Sequence, residues 1–135
     1  MNKIIKIGVL GAGAWGTTIS LLLSRKNDVL LWANEKEVVQ EINSKNKNSI
    51  FLPGIKLNKK IIATSNLKDL KDVEFLFVVV PTQYISSTLK KLKGKLNSKC
   101  RIVNASKGIE INSLNLISSI VKNHFTKNPI SILSG

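Results

Sequence analysis

The sequence has little of several features that would mark a particular class of protein. Its single cysteine, Cys100, excludes an internal disulfide and has no neighbouring Cys or His with which to bind a metal, so we interpret it as an inert thiol. No apolar run approaches the ~20 residues of a membrane-spanning helix. The N-terminus shows no export signal. We therefore expect a cytoplasmic protein without membrane insertion or a metal site.

Acidic residues are also scarce, with 8 Asp and Glu against 21 Lys and Arg and a net charge of +13. A basic stretch without any acid contains Lys90, Lys91, Lys93, Lys95, Lys99 and Arg101. Only Arg25 and Arg101 are arginines, although the reading of base edges favours arginine. No aromatic residues interleave the stretch, as stacking on single strands would require. We interpret it as solvated surface and expect no nucleic-acid partner.

At 135 residues with 43% hydrophobic content, the chain fits one globular domain over residues 1–135. The spacing of apolar residues predicts strands at 4–10, 29–33, 61–64, 73–80, 101–105 and 130–133. Helices are predicted at 14–26, within 35–48, near 85–92 and near 117–124, and residues 48–60 are predicted to form a loop. His124 falls on the apolar face of the last helix, which favours a position at the rim of the core over a catalytic role. This alternation predicts the α/β class, with a doubly wound, mainly parallel sheet and helices on both faces.

A glycine motif, G-x-G-x-x-G, lies between the first predicted strand and helix and comprises Gly11, Gly13 and Gly16. In a dinucleotide-binding turn the first glycine permits a tight bend, the second lets the backbone approach a pyrophosphate, and the third lets the helix pack on the strand. The N–H groups at the start of the helix then face the phosphates. The motif in this position predicts a Rossmann-type domain that binds NAD or NADP.

Other residues follow the carboxyl ends of predicted strands, where ligands bind to open parallel sheets. Asn34 follows the second strand, at the position where an acidic residue favours NAD and an arginine favours NADP. Because asparagine is neither, it does not decide between the two cofactors, and we favour NAD only slightly. Pro81 follows the fourth strand and is a candidate for cofactor binding. Lys107 follows the fifth strand and is placed to hold a substrate phosphate or alcohol oxygen, unless it only extends from the strand end into solvent.

Several motifs in order, GAGAWGT, LLWAN, FLPG, FLFVVVPTQ, NASKGIE and the terminal ILSG, resemble the N-terminal part of the bacterial-type NAD(P)-dependent glycerol-3-phosphate dehydrogenases. The resemblance spans the whole chain. It implies that Ala14, Trp15 and Asn34 contact the cofactor. It also implies that Lys107 contacts both cofactor and substrate, and that Gly135 contacts the substrate.

The resemblance further implies an oxidoreductase that transfers hydride reversibly between dihydroxyacetone phosphate and sn-glycerol 3-phosphate for glycerophospholipid synthesis. The family continues into a helical second domain with the catalytic lysine, so we expect a fragment without a catalytic residue and with negligible turnover. A homodimer is one option for the full-length protein. Two alternatives stay open, namely the N-terminal domain of a 3-hydroxyacyl-CoA, ketopantoate or 6-phosphogluconate dehydrogenase or reductase, and a free-standing dinucleotide-binding module.

Overall fold

The computed structural model describes residues 5–106 and 116–133. Its strands are β1 (Lys6–Leu10), β2 (Asp28–Trp32), β3 (Lys47–Asn48), β4 (Leu52–Lys56), β5 (Ile61–Thr64), β6 (Phe75–Val78), β7 (Arg101–Asn104) and β8 (Ile130–Ile132). Its α-helices are α1 (Ala14–Leu23), α2 (Lys36–Lys45), α3 (Ile85–Leu92) and α4 (Ile117–His124), and short 3-10 helices cover Leu67–Leu70 and Thr82–Tyr84. Strands alternate with helices as predicted, except that β3, β4 and β5 follow one another directly.

Six strands form one sheet in the order β5-β2-β1-β6-β7-β8, and every pair in it is parallel. Counted along the chain among these six strands alone, the order is 3-2-1-4-5-6, which is the doubly wound order of dinucleotide-binding folds. The direction of winding reverses between β1 and β6. The predicted fold class is confirmed, and the reversal marks the point where such sheets bind ligands.

Two separate apolar clusters cover the two faces of the sheet. One contains Ile7 and Val9 of β1 with residues of α1 and α2, including Ile19 and Ile42. The other contains Leu10 of β1 with residues of the 3-10 helix Leu67–Leu70, α3 and α4. Side chains alternate between faces along a strand, so the apolar run of β1 supplies both clusters. This arrangement holds the glycine turn at the end of a strand that is buried on both sides.

The prediction of a loop at 48–60 was wrong for residues up to Lys56. Here β3 and β4 form a small antiparallel sheet, with Lys47 opposite Lys56 and Asn48 opposite Leu52. The chain reverses at Asn46, which takes a left-handed conformation with φ of 54° at the end of α2. A strand of two residues has no apolar period that a sequence could display, so the pattern could not reveal it.

Several predicted boundaries also differ, most clearly those of α1 and β6. Helix α1 ends at Leu23 rather than 26, where Ser24 Oγ donates to Leu21 O at 2.8 Å and Asn27 Nδ2 donates to Leu23 O at 3.1 Å. Strand β6 is Phe75–Val78 rather than 73–80, although Val79 N–H still donates to Leu10 O at 2.9 Å.

Within residues 5–106 and 116–133, no helix is long and apolar enough to cross a membrane.

Candidate dinucleotide-binding site

The glycine turn is held tightly against the ends of the neighbouring strands. Gly11 N–H donates to Trp32 O of β2 at 3.0 Å, and Gly11 has φ of +122°, a conformation that favours glycine. A Cβ at Gly11 would lie 2.5 Å from Val79 O, and one at Gly16 would lie 1.9 Å from Gly11 O. The fold itself therefore requires glycine at both ends of the motif.

Gly13 differs from the other two glycines because a Cβ placed there would meet nothing within 4 Å. It is the N-cap residue of α1 and offers no side-chain cap, and the first helical turn closes with Thr17 N–H donating to Gly13 O at 3.0 Å. The N–H groups that precede this bond lack intrahelical acceptors and carry the positive end of the helix dipole. Ala14 and Trp15 are exposed in this turn. An anion can approach the backbone here without displacing protein atoms.

Two further predicted residues follow strands on either side of β1. Leu10 at the end of β1 pairs in register with Trp32 of β2 and with Val78 of β6. Asn34 comes two residues after Trp32 and is exposed, and Pro81 comes three residues after Val78 and is also exposed. Both therefore lie at the same edge of the sheet as the glycine turn, as the sequence predicted.

The end of β7 is fastened to the end of β6 just before the predicted lysine. Ala105 N–H donates to Val78 O at 2.9 Å, and Ser106 Oγ lies within donating distance of Val78 O and Val80 O, at 3.0 and 3.2 Å. Lys107 and Gly135 lie outside the described residues. The anchored Ser106 nevertheless brings the chain to the crevice edge immediately before Lys107.

Two residues that shape this site are not among the predicted site residues. Ser106 lies in the motif NASKGIE, and Asn48 lies in the predicted loop. Asn48 is fully buried, and its amide donates to Ala12 O inside the glycine turn at 2.9 Å. Asn48 contacts the glycine turn and Ser106 contacts the end of β6, and in both cases the partner is distant in sequence, so only the folded chain shows the contact.

The remaining candidate groups lie away from this edge. Burial raises the pKa of the Cys100 thiol to about 12, which agrees with an inert thiol. His124 is partly buried on α4, with Nδ1 2.9 Å from Ile120 O.

A surface cavity of about 580 Å³ is lined by residues that include Lys6, Asp28 and Lys60, at the amino-terminal ends of the strands. Ligands of open parallel sheets bind at the carboxyl ends, so we assign the site to the glycine turn.

A doubly wound parallel sheet with this turn at its point of reversal defines an NAD(P)-binding domain. The model of the family described as NAD-dependent glycerol-3-phosphate dehydrogenase N-terminus matches residues 6–135. The chain belongs to this family. The match favours it over the other two-domain dehydrogenases that share the architecture.

Curated relatives agree with this assignment. The chain is 40% identical over 133 residues to a glycerol-3-phosphate dehydrogenase [NAD(P)+] of Orientia tsutsugamushi, covering 97% of this chain and 40% of that protein. It is 42% identical over 118 residues to the enzyme of the same name from Carboxydothermus hydrogenoformans, covering 86% of this chain and 35% of that protein. The chain thus spans about two fifths of the length of these relatives.

Solved structures show the same fold. A glycerol-3-phosphate dehydrogenase from Coxiella burnetii superposes with a TM-score of 0.89 at 30% identity, covering 98% of this chain and 41% of that one. A ketopantoate reductase from Ralstonia eutropha superposes with a TM-score of 0.74 at 17% identity, covering 95% of this chain and 40% of that one, and shares the fold alone.

Proposed function

We propose that this chain is the dinucleotide-binding domain of an NAD(P)-dependent glycerol-3-phosphate dehydrogenase. The complete enzyme would transfer hydride reversibly between dihydroxyacetone phosphate and sn-glycerol 3-phosphate and so supply the backbone of glycerophospholipids. The observation that carries the proposal is the open space at Gly13, set between two glycines that the fold requires and at the start of α1. The family match makes glycerol-3-phosphate dehydrogenation the reaction to test.

The residues present fit a dinucleotide. The backbone of Gly11, Gly13 and Gly16, with Ala14 and Trp15 beside them, receives the pyrophosphate. Asn34, after the end of β2, accepts or donates a hydrogen bond at the adenosine ribose, and NAD is slightly favoured over NADP. Pro81, after the end of β6, lies beside the bound cofactor. When bound, the nicotinamide supplies or accepts the hydride, and the protein holds it against the substrate carbon.

Two residues outside the described ranges complete the proposal. Lys107 contacts both cofactor and substrate, where its cation would neutralise the substrate phosphate or stabilise the alcohol oxygen. Gly135 contacts the substrate. The residue before Lys107 lies at the end of β6, where Ser106 Oγ is bonded to Val78 O and Val80 O, and this supports the role proposed for Lys107.

A second, helical domain with the catalytic lysine completes the active site in this proposal. The crevice side carries large apolar side chains that a domain would cover: Trp15 is 50%, Tyr84 57% and Leu133 41% exposed. Each follows a strand at its carboxyl end. By itself this chain would bind the dinucleotide but show negligible turnover. The homodimer and the cytoplasmic location stay predictions for the complete protein.

The test compares the complete protein with this chain alone by following the absorbance of NADH. We expect the complete protein to oxidise NADH when dihydroxyacetone phosphate is added and to reduce NAD when sn-glycerol 3-phosphate is added. This chain should bind NADH without turnover, and a Lys107→Ala variant of the complete protein should lose most activity. Oxidation of NADH with ketopantoate but not with dihydroxyacetone phosphate would refute the assignment.

A further inference from the structure

Asn48 is a fully buried amide that contacts the glycine turn from the protein side. Its Nδ2 donates to Ala12 O and to Thr17 Oγ1, both at 2.9 Å, and its Oδ1 accepts from Phe51 N–H at 3.3 Å. A buried amide is costly unless its hydrogen bonds are made, and these contacts use both of its protons. Asn48 therefore links the β3–β4 sheet to the turn by a defined set of bonds.

The carbonyl of Ala12 receives a second bond from the same group of residues. Thr17 Oγ1 donates to Ala12 O at 3.2 Å, and Ala12 is itself buried. Two donors therefore hold this carbonyl oxygen toward the protein interior. Ala12 is the residue between the first two glycines of the motif.

The direction of the Ala12 carbonyl fixes the direction of the next N–H group. In a planar trans peptide, the C=O of Ala12 and the N–H of Gly13 point to opposite sides. None of the described residues accepts a hydrogen bond from Gly13 N–H. The space beside Gly13 is open. The inward carbonyl thus directs the Gly13 N–H toward the side from which an anion would approach.

We infer that Asn48 is a positioning residue of the dinucleotide site, which turns the Gly13 N–H toward the pyrophosphate. This inference rests on the proposed function. Asn48 does not touch the ligand and acts only through the Ala12–Gly13 peptide. Without the Asn48 donor, Ala12 O keeps only the longer bond from Thr17 Oγ1, so the peptide is held less firmly and the Gly13 N–H is less well preorganised for the phosphate oxygen.

The experiment measures NADH affinity by calorimetry and stability by urea unfolding, on the full chain and two variants. Asn48→Asp keeps the shape and the acceptor for Phe51 N–H but removes both donors. The matched control is Asn43→Asp, since Asn43 also exchanges two hydrogen bonds with backbone, at Ala63 N and O (2.8 and 2.9 Å), but lies away from the turn. We expect Asn48→Asp to weaken NADH binding by about tenfold or more, and Asn43→Asp to stay within about twofold.

A spectroscopic measurement on the wild type keeps the test independent of how well Asn48→Asp folds. Titration with ADP should move the Gly13 amide proton downfield, as a new hydrogen bond to phosphate requires. An unmoved Gly13 amide, or NADH affinities that fall equally in the two variants, would overturn the inference while leaving dinucleotide binding intact. A folded wild type that does not bind NADH would refute the proposed function and this inference with it.

Discussion

The three glycines of the turn are required for different physical reasons. At Gly11 and Gly16 an added Cβ would overlap backbone oxygen atoms, at 2.5 Å from Val79 O and 1.9 Å from Gly11 O. At Gly13 it would meet no protein atom within 4 Å. The fold thus requires glycine at two positions and leaves the third open, where we propose that the ligand binds, a distinction that the motif alone does not show.

This distinction predicts that alanine lowers stability at Gly16 far more than at Gly13. Gly16→Ala should lower the free energy of unfolding by about 2–4 kcal/mol, because neither the helix start nor Gly11 O can move away cheaply. Gly13→Ala should stay within about 1 kcal/mol of the wild type, since the native backbone accepts a Cβ and the unfolded chain loses entropy. Urea unfolding of both variants measures the difference, and equal losses would contradict our assignment of roles.

Cys100 should be unreactive in the folded chain. Burial raises the pKa of its thiol to about 12, and the thiolate is the nucleophile, so at pH 8 only about one molecule in ten thousand is reactive. We expect slow labelling by an aromatic disulfide reagent in buffer and rapid labelling in urea. Rapid labelling under conditions where the chain is folded would show that the site is open.

At the scale of elements, the sequence predicts secondary structure best where apolar residues repeat with a regular spacing. Such a spacing predicted five elements, because each of them buries one or two faces: β1, β2, β5, α1 and α3. The β3–β4 sheet could not be predicted, because a strand of two residues shows no apolar period. A different limit applies to the site. The glycine turn and Asn34 are local signals, whereas the roles of Asn48 and Ser106 arise only from tertiary contacts.

The β3–β4 sheet is also fastened to α2 through Glu41, which makes an acid-sensitive contact. Ser49 donates both its hydroxyl and its N–H to the Glu41 carboxylate, and these hydrogen bonds lower the pKa of Glu41 below its usual 4.5. A lowered folded pKa means that the stabilisation is complete above the unfolded pKa and is lost as the pH falls through the folded value.

An NMR titration of the carboxyl groups tests this contact. In the wild type, Glu41 should titrate below 4.5, and in Ser49→Ala its pKa should move back toward that value, because the hydroxyl donor, the largest cause of the shift, is removed. The stability difference between the two proteins should also shrink at low pH. Identical Glu41 titrations in both proteins would mean that the bond to Ser49 is not formed in solution.

At the scale of the whole molecule, the order of the strands brings the candidate site residues to one edge of the sheet. The strand order reverses between β1 and β6, and the glycine turn, Asn34 and Pro81 all follow strands at or beside that reversal. The cavity at the opposite edge carries none of these residues. Trp15 and Tyr84 are exposed on the same side as the glycine turn, which supports our proposal that a second domain covers it.

A calorimetric titration of NADH into the wild type and Gly13→Val tests whether the glycine turn binds a nicotinamide dinucleotide. We expect the wild type to bind, and the variant to keep its fold but bind at least about tenfold more weakly, a loss of about 1.4 kcal/mol or more. A parallel titration with NADPH decides between NAD and NADP, a choice that Asn34 leaves open. Equal binding of NADH by a folded Gly13→Val would show that the dinucleotide does not bind at the turn, because the valine side chain would then occupy space that the pyrophosphate does not use.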